Sequence, residues 1–231
     1  MNERRLGAVI VSGGSSGLGA AVVDAVWAAG GSPLVLDLKP PASDVPYVAV
    51  DLADTRAAAA ATRELAEQAG GSLSGVVTAA GMDLPARLED LPGAEWERIV
   101  AVNLFGTAAV VRAALPALRA GSGTVVTVAS TLGVKAVSDA TAYCAAKFGV
   151  VGFTRALAAE LAGDVGVTLL IPGGMRTAFF DAREDRYKPP ADAKLNDPAH
   201  VAQAILFALR QPAGCAVREL VICSTEESSY P

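Results

Sequence analysis

Residues 130–147, STLGVKAVSDATAYCAAK, hold a serine, a tyrosine and, four positions after the tyrosine, a lysine. On a helix that spacing puts Tyr143 and Lys147 on one face, about one turn apart. A cation beside a phenol favours the phenolate, so Tyr143 would exchange a proton nearer neutral pH than its usual ~10. Ser130 closes the apolar run TVVTVAS and would hold a substrate oxygen against that phenol. A tyrosine and a lysine at this spacing also arise by chance, so the rest of the chain must decide what they do.

A second group precedes them. The loop GGSSGLG follows an apolar run at residues 6–12 and opens a helical segment. Gly13, Gly17 and Gly19 allow a tight turn and let the backbone approach a pyrophosphate, while the helix N-terminus offers free N–H groups and a positive dipole end. Gly13, Ser15, Ser16, Gly17, Leu18 and Gly19 are therefore candidate contacts to a dinucleotide. Their spacing, G-x-x-x-G-x-G, differs from the commoner G-x-G-x-x-G, and a glycine loop alone also fits a tight turn with no ligand. Asp37 follows at the end of the next apolar run, about 20 residues on, where an acid bonds the adenosine ribose hydroxyls. Such a carboxylate accepts from a diol and repels a 2′-phosphate, which predicts NAD over NADP. Lys39, two residues later, softens that choice, and a solvated strand-end acid is the plainer reading of Asp37.

These groups need a frame. Runs at 6–12, 33–38, 47–50, 76–79, 125–128, 167–171 and 219–223 read as strands. Helical patterns run from the glycine loop to residue 29, then over 55–69, 95–118, 141–161 and 198–210. Gly30-Gly31 ends the first helix, Pro40-Pro41 breaks the chain and Pro172 stops the sixth strand. Strands alternating with helices predict an α/β fold: a doubly wound parallel sheet with helices on both faces and right-handed crossovers. Residues 1–231 read as one domain. The one long irregular segment, about 173–197, reads as a functional loop.

Composition narrows the function. The chain has 231 residues, is 52% hydrophobic and has a mean hydropathy of +0.40, which suits one domain with a sizeable core. Its net charge of −5, with no lysine or arginine run, argues against nucleic acid. The first apolar run meets glycines within a few residues and reads as a buried strand and not a signal peptide. The most apolar longer stretch, 99–111, contains Asn103 and is too short to span a bilayer, so no membrane is expected. Cys144, Cys215 and Cys223 do not pair at metal-ligand spacing, and an odd count argues against a disulfide framework; reduced thiols in a cytoplasm and no metal are expected. Cys144 reads as small core packing. His200, the only histidine, follows the helix-start signal Asp197-Pro198 and reads as a surface residue, leaving little for a Ser-His-Asp hydrolase.

With SGGSSGLG, Asp37, Asp51-Leu52, TAAG at 78–81, Asn103, Ser130, Tyr143-x-x-x-Lys147 and Ile171-Pro172-Gly173 in this order, the chain resembles the short-chain dehydrogenase/reductase family. The resemblance covers residues 6–177 and, more loosely, the last helix and strand. It implies one Rossmann-type domain with about seven parallel strands. It implies a catalytic group of Asn103, Ser130, Tyr143 and Lys147. Tyr143 would be the acid/base, Lys147 would lower its pKa and hold the nicotinamide ribose, and Ser130 would bond the substrate oxygen. Asn103 would kink its helix and position a water linking Lys147 to solvent. Asp51 and Leu52 would flank the adenine, Ala80 and Gly81 would line the cofactor, and Pro172, Gly173 and Thr177 would receive the nicotinamide. Two departures are Thr78-Ala79-Ala80-Gly81, where the family often has Asn-Asn-Ala-Gly, and the ending RELVICSTEESSYP, which lacks the usual tail.

On the substrate side, the loop at 173–197 would be a lid. Phe179, Phe180 and Tyr187 suit an apolar substrate, and its arginines an anionic one, unless its charges only keep it soluble. Met82, Asp83 and residues 132–137 would complete the pocket walls. The expected activity is NAD(H)-dependent interconversion of a secondary alcohol and a ketone, with a 3-oxoacyl reductase or 3-hydroxyacyl-thioester dehydrogenase as a narrower version. A non-catalytic dinucleotide-binding sensor and an isomerase or epimerase using bound NAD are the alternatives. The small-residue helices over 103–118 and 141–161 suit packing between subunits, and the resemblance implies a homodimer or homotetramer.

Overall fold

The structure, a computed structural model, describes residues 4–227, 229 and 230. Seven strands form one parallel sheet: β1 (Ala8–Ser12), β2 (Ser32–Asp37), β3 (Tyr47–Ala49), β4 (Gly75–Thr78), β5 (Thr124–Val128), β6 (Gly166–Pro172) and β7 (Glu219–Ile222), in the order β3-β2-β1-β4-β5-β6-β7. Side chains alternate across the strands and feed two cores. Val9, Val11, Val35, Val77, Val126 and Leu170 face α1 (Gly17–Ala28) and α6 (Pro198–Leu209). Ile10, Leu34, Leu36, Val76, Val125 and Val167 face α2 (Thr55–Gln68), α4 (Thr107–Ala120) and α5 (Thr141–Glu160). This is the doubly wound α/β fold that the sequence pattern predicts.

Parallel pairing brings the C-terminal ends of all the strands to one edge. The register Ser12↔Thr78 and Thr78↔Thr127 sets the ends of β1, β4 and β5 level. The chain runs outward from β1 to β3 in one direction and from β4 to β7 in the other. The crevice between β1 and β4 is thus a topological switch point, where open α/β sheets bind ligands.

One helix differs from expectation. The segment expected as a single helix over 95–118 is α3 (Gly93–Val100), a π-helical stretch (Ala101–Gly106) and then α4. The continuous run Gly93–Ala120 is 28 residues long and its most apolar 18-residue window has a mean hydropathy of 1.7, so the length argument drawn from residues 99–111 does not hold. Burial decides instead: half of its most apolar window is covered, and Val110, Ala114 and Leu118 pack on the sheet. The loop at 173–197 is also more ordered than expected. It carries 3₁₀ turns at Ala178–Phe180 and Asp185–Tyr187, and Met175 pairs with Asn196 in a single bridge.

Candidate active site

A cleft of about 820 Å³ opens at the C-terminal ends of β1, β2, β4, β5 and β6, within the size range of ligand pockets. Gly13, Ser16, Gly17 and Leu18 form its floor at the switch point. Gly13 has φ 74° and a Cβ there would lie 2.6 Å from the Ala80 backbone, so only glycine lets this loop rest on the turn after β4. Gly17 has φ 52° and packs against Thr177. Ser16 caps α1 with extended backbone and no side-chain bond, which leaves the first-turn N–H groups of α1 facing the cleft. A backbone cradle with an uncapped helix start fits a pyrophosphate. Ser15 and Gly19, expected as contacts, do not line the cleft. Ser15 turns its hydroxyl to the Lys39 carbonyl, and Gly19 is pressed against the Gly13 carbonyl, where a side chain would collide.

Asp37 lies at the far end of the loop. Its Oδ2 accepts from the Ser15 N–H at 3.0 Å and its Oδ1 from the Leu38 N–H at 2.7 Å, which pins the carboxylate at the cleft wall. Asp51 and Leu52 line the same side. The Ala53 N–H, together with Arg98, holds the Asp51 carboxyl below the usual carboxylate range. Arg98, on α3, was not singled out in the sequence. It also lines the cleft, 2.9 Å from Asp51.

At the other end, Ser130, Tyr143, Lys147, Ala80, Gly81, Pro172, Gly173 and Thr177 line the cleft together. Tyr143 and Lys147 share the buried face of α5, at 8% and 3% exposure. Ser130 is hydrogen-bonded to Tyr143. Lys147 Nζ donates to the Val128 carbonyl at 2.9 Å and lies 5.5 Å from the Tyr143 ring centroid. Asn103 does not line the cleft and is fully buried behind it. Its Nδ2 donates to the Ile99 and Met82 carbonyls, both at 2.8 Å. The side chain thus takes the carbonyl that regular helix geometry gives to its own N–H, and the helix widens into π turns at that point. Among the described residues, Asn103 Oδ1 has no hydrogen-bond partner. It and Lys147 Nζ converge on Gly81, 2.9 and 3.7 Å from where a Cβ would stand.

The electrostatics reverse one expectation. Burial, with the charge of Asp83, pushes the Tyr143 phenol above its ordinary range, against the Ser130 bond. The same burial lowers Lys147 to about 8. Lys147 points at a carbonyl and not at the phenol oxygen, so desolvation outweighs the help expected from its charge. Asp83 sits nearby, its side chain only 3% exposed and paired with Arg183 at 2.7 Å. Burial raises its carboxyl, against the pull of Arg183 and Lys147. Arg183 stacks over Phe179 and Phe180, and Phe179 covers Tyr143 at 5.8 Å between centroids. Tyr187 donates to Asp139, and Arg186 pairs with Glu184. Two arginines of the loop at 173–197, expected to meet an anion, are thus already paired within the chain. The C-terminal segment also reaches the cleft through Glu226, Glu227 and Ser229, a contribution the sequence did not reveal.

The lowered Lys147 pKa predicts a stability signature. Between about 8 and 10.5 the unfolded chain holds a proton on this lysine that the folded chain does not. Folding stability from this group therefore rises with pH across that window, after carrying the whole cost of the buried charge below it. Urea unfolding at pH 8, 9 and 10 should show a Lys147→Met variant losing a positive slope on the order of 1 kcal/mol per pH unit relative to the parent. Parallel pH profiles for the two proteins would contradict it.

Comparison with known proteins places this geometry. The short chain dehydrogenase family matches residues 7–188. An uncharacterized oxidoreductase of Staphylococcus aureus is 36% identical over 161 residues, covering 69% of this chain and 68% of its own. A glycine betaine reductase of Emericella nidulans is 31% identical over 94% of this chain, which spans 19% of that protein. Among solved structures, the ligand-free aldohexose dehydrogenase of Thermoplasma acidophilum superimposes with a TM-score of 0.85 at 22% identity, over 95% of this chain and 93% of its own. An alcohol dehydrogenase of the archaeon Thermococcus sibiricus, in complex with 5-hydroxy-NADP, does so with a TM-score of 0.82 at 22% identity, over 93% and 95%. These last two share the fold, and the family match covers most of the chain: it belongs to the short-chain dehydrogenase family.

Proposed function

We propose that the protein is an NAD(H)-dependent oxidoreductase that interconverts a secondary alcohol and a ketone, with Tyr143 as the general acid/base. The observation that carries this reading is the meeting of Ser130, Tyr143 and Lys147 at one end of a cleft whose other end holds the glycine loop and Asp37. A bound nicotinamide supplies the hydride donor or acceptor and, when oxidised, a positive charge. Gly13, Ser16, Gly17 and Leu18 would hold the pyrophosphate, Asp37 the adenosine ribose, Asp51 and Leu52 the adenine, and Ala80, Gly81, Pro172, Gly173 and Thr177 the nicotinamide half.

The chemistry of the chain's own groups follows from their protonation. Tyr143, kept protonated by burial and Asp83, gives its proton to a carbonyl oxygen as charge develops there. Ser130 bonds the same oxygen and fixes its distance from the phenol. Lys147, with its pKa near 8, would hold the nicotinamide ribose and serve as a proton source behind the phenol. Asn103 is a positioning residue: it shapes the helix behind Gly81, and its Oδ1 and Lys147 Nζ approach the same point beside Gly81. Oxidation of the alcohol runs the same steps backwards and needs the phenolate. The pairing of Arg183, which lines the cleft, with Asp83 favours an uncharged substrate under the aromatic lid over the acyl-thioester version.

The carboxylate of Asp37 beside the loop favours NAD, although the Thermococcus relative of the fold carries an NADP analogue. The faces of α4 and α5 support a homodimer or homotetramer. Phe105, on the π-helical stretch leading into α4, and Phe148, on α5, are 54% and 44% exposed, and a groove between the helices is lined by Phe105, Ala108, Leu115 and Phe153. A cytoplasmic location follows from this reading and from the free thiols of Cys144, Cys215 and Cys223.

A panel of secondary alcohols and ketones followed at the NADH absorbance, with NAD and NADP in parallel, tests the function. Tyr143→Phe should bind NADH within about twofold of the parent and lose turnover by a factor of ~10² or more. Full turnover in that variant would sink the mechanism, and a wide preference for NADP would sink the reading of Asp37. Sedimentation at micromolar concentration should give a dimer or tetramer, and a monomer would refute the assembly.

A further inference from the structure

The C-terminal segment returns to the cleft after β7. Gly173 N–H donates to the Ile222 carbonyl at 2.9 Å, which ties the exit of β6 to the end of β7. Five residues on, Glu227 Oε2 accepts from the Gly174 N–H at 3.0 Å. Glu227 Oε1 accepts from both the N–H and the hydroxyl of Ser229, at 3.0 and 2.7 Å. The Ser229 hydroxyl has spent its one proton on Glu227, so it accepts the Thr131 hydroxyl proton at 2.7 Å. A directed chain thus runs from Thr131, next to Ser130, to a carboxylate seated on the backbone after β6. That carboxylate fills the space where a Gly173 side chain would stand. Burial raises its pKa, but the bonds from Ser229 and Gly174 outweigh this and hold it below the usual range, so it is charged at neutral pH.

Its place in the cleft sets what that charge meets. Resting on the reading above, a dinucleotide has its adenosine at Asp37, its pyrophosphate at the glycine loop and its reactive ring beside Tyr143. That order brings the nicotinamide to the ends of β5 and β6, where Glu227 lines the cleft. Nearby, Arg183 is neutralised by Asp83 and Lys147 is bonded to the Val128 carbonyl. Oxidised nicotinamide is a cation and reduced nicotinamide is neutral, so a fixed carboxylate here discriminates between them. We propose that Glu227 is a cofactor-discriminating residue, tightening the hold on NAD+ while leaving NADH almost unaffected. By linkage, the same preference biases the bound pair toward the oxidised state.

Dissociation constants of NAD+ and NADH, measured by calorimetry on the full chain and on Glu227→Gln, test this. The substitution keeps an acceptor for Gly174 and removes the charge. It should weaken NAD+ by roughly tenfold, the scale of one charge pair several ångströms apart at a partly exposed site, and leave NADH within about twofold. Glu67→Gln, at an exposed position on α2 outside the cleft, should leave the ratio of the two constants unchanged. Equal weakening of both nucleotides would make Glu227 a structural strap only and overturn the proposal, as would no change in either. Binding of neither nucleotide by the parent protein would overturn the proposed function and the inference with it; a ratio insensitive to Glu227 overturns the inference alone.

Discussion

A lysine buried to 3% exposure is the constraint on which the site depends. Taking an ammonium out of water is expensive unless something compensates it. Three things do so here. The Val128 carbonyl accepts a bond from Lys147, its pKa falls to about 8, and the negative charge of Asp83 attracts it. Asp83 is itself buried and in turn needs Arg183. Arg183 belongs to the loop at 173–197, where it stacks on Phe179 and Phe180, and Phe179 roofs Tyr143. One buried charge therefore links α5, the turn after β4 and that loop.

The same constraint explains why Tyr143 and Lys147 do not act as a simple pair. A cation beside a phenol lowers its pKa in water, but both groups share one desolvated pocket, and desolvation penalises either charge. The phenol stays protonated and the lysine holds its proton weakly. This suits proton donation to a carbonyl oxygen. On the proposed function, the opposite direction would need a further positive charge in the pocket, which a bound oxidised nicotinamide would supply. The shape of the pocket rests on Asn103. Its amide holds the Ile99 and Met82 carbonyls, so the π turns of the helix and the strand-end turn bearing Gly81 and Asp83 are fixed by one side chain.

Much of this was legible in the chain. Glycine and proline punctuate the strands, which are continuous apolar runs alternating with helical segments, so the parallel sheet with helices on both faces could be read from the pattern. The glycine loop, Asp37 and the tyrosine–lysine spacing were local signals, and the fold brings them to one edge of the sheet. What was hidden depends on contacts distant in sequence. Asp83 and Arg183 are 100 residues apart, and Gly174 and Glu227 are 53 apart. Ser15 belongs to the loop motif, yet its side chain faces Lys39, because the loop has two sides and a motif does not say which side a residue takes. The resemblance implied that Asn103 disturbs its helix; the π turns themselves were hidden because an asparagine in an apolar helical run gives no sign that its amide will take a carbonyl of its own helix.

The claim at the centre is that Tyr143 carries the proton and that its surroundings set when it does so. Titrating the Tyr143 phenol by ¹³C NMR with ring-labelled tyrosine tests this directly, Tyr143→Phe identifying its resonance among the four tyrosines. The phenol should titrate above ~10 in the protein alone and fall by at least about one unit when NAD+ is saturating, as a cation enters the pocket. A phenol that titrates at the ordinary value in both states, or does not respond to NAD+, would contradict the account.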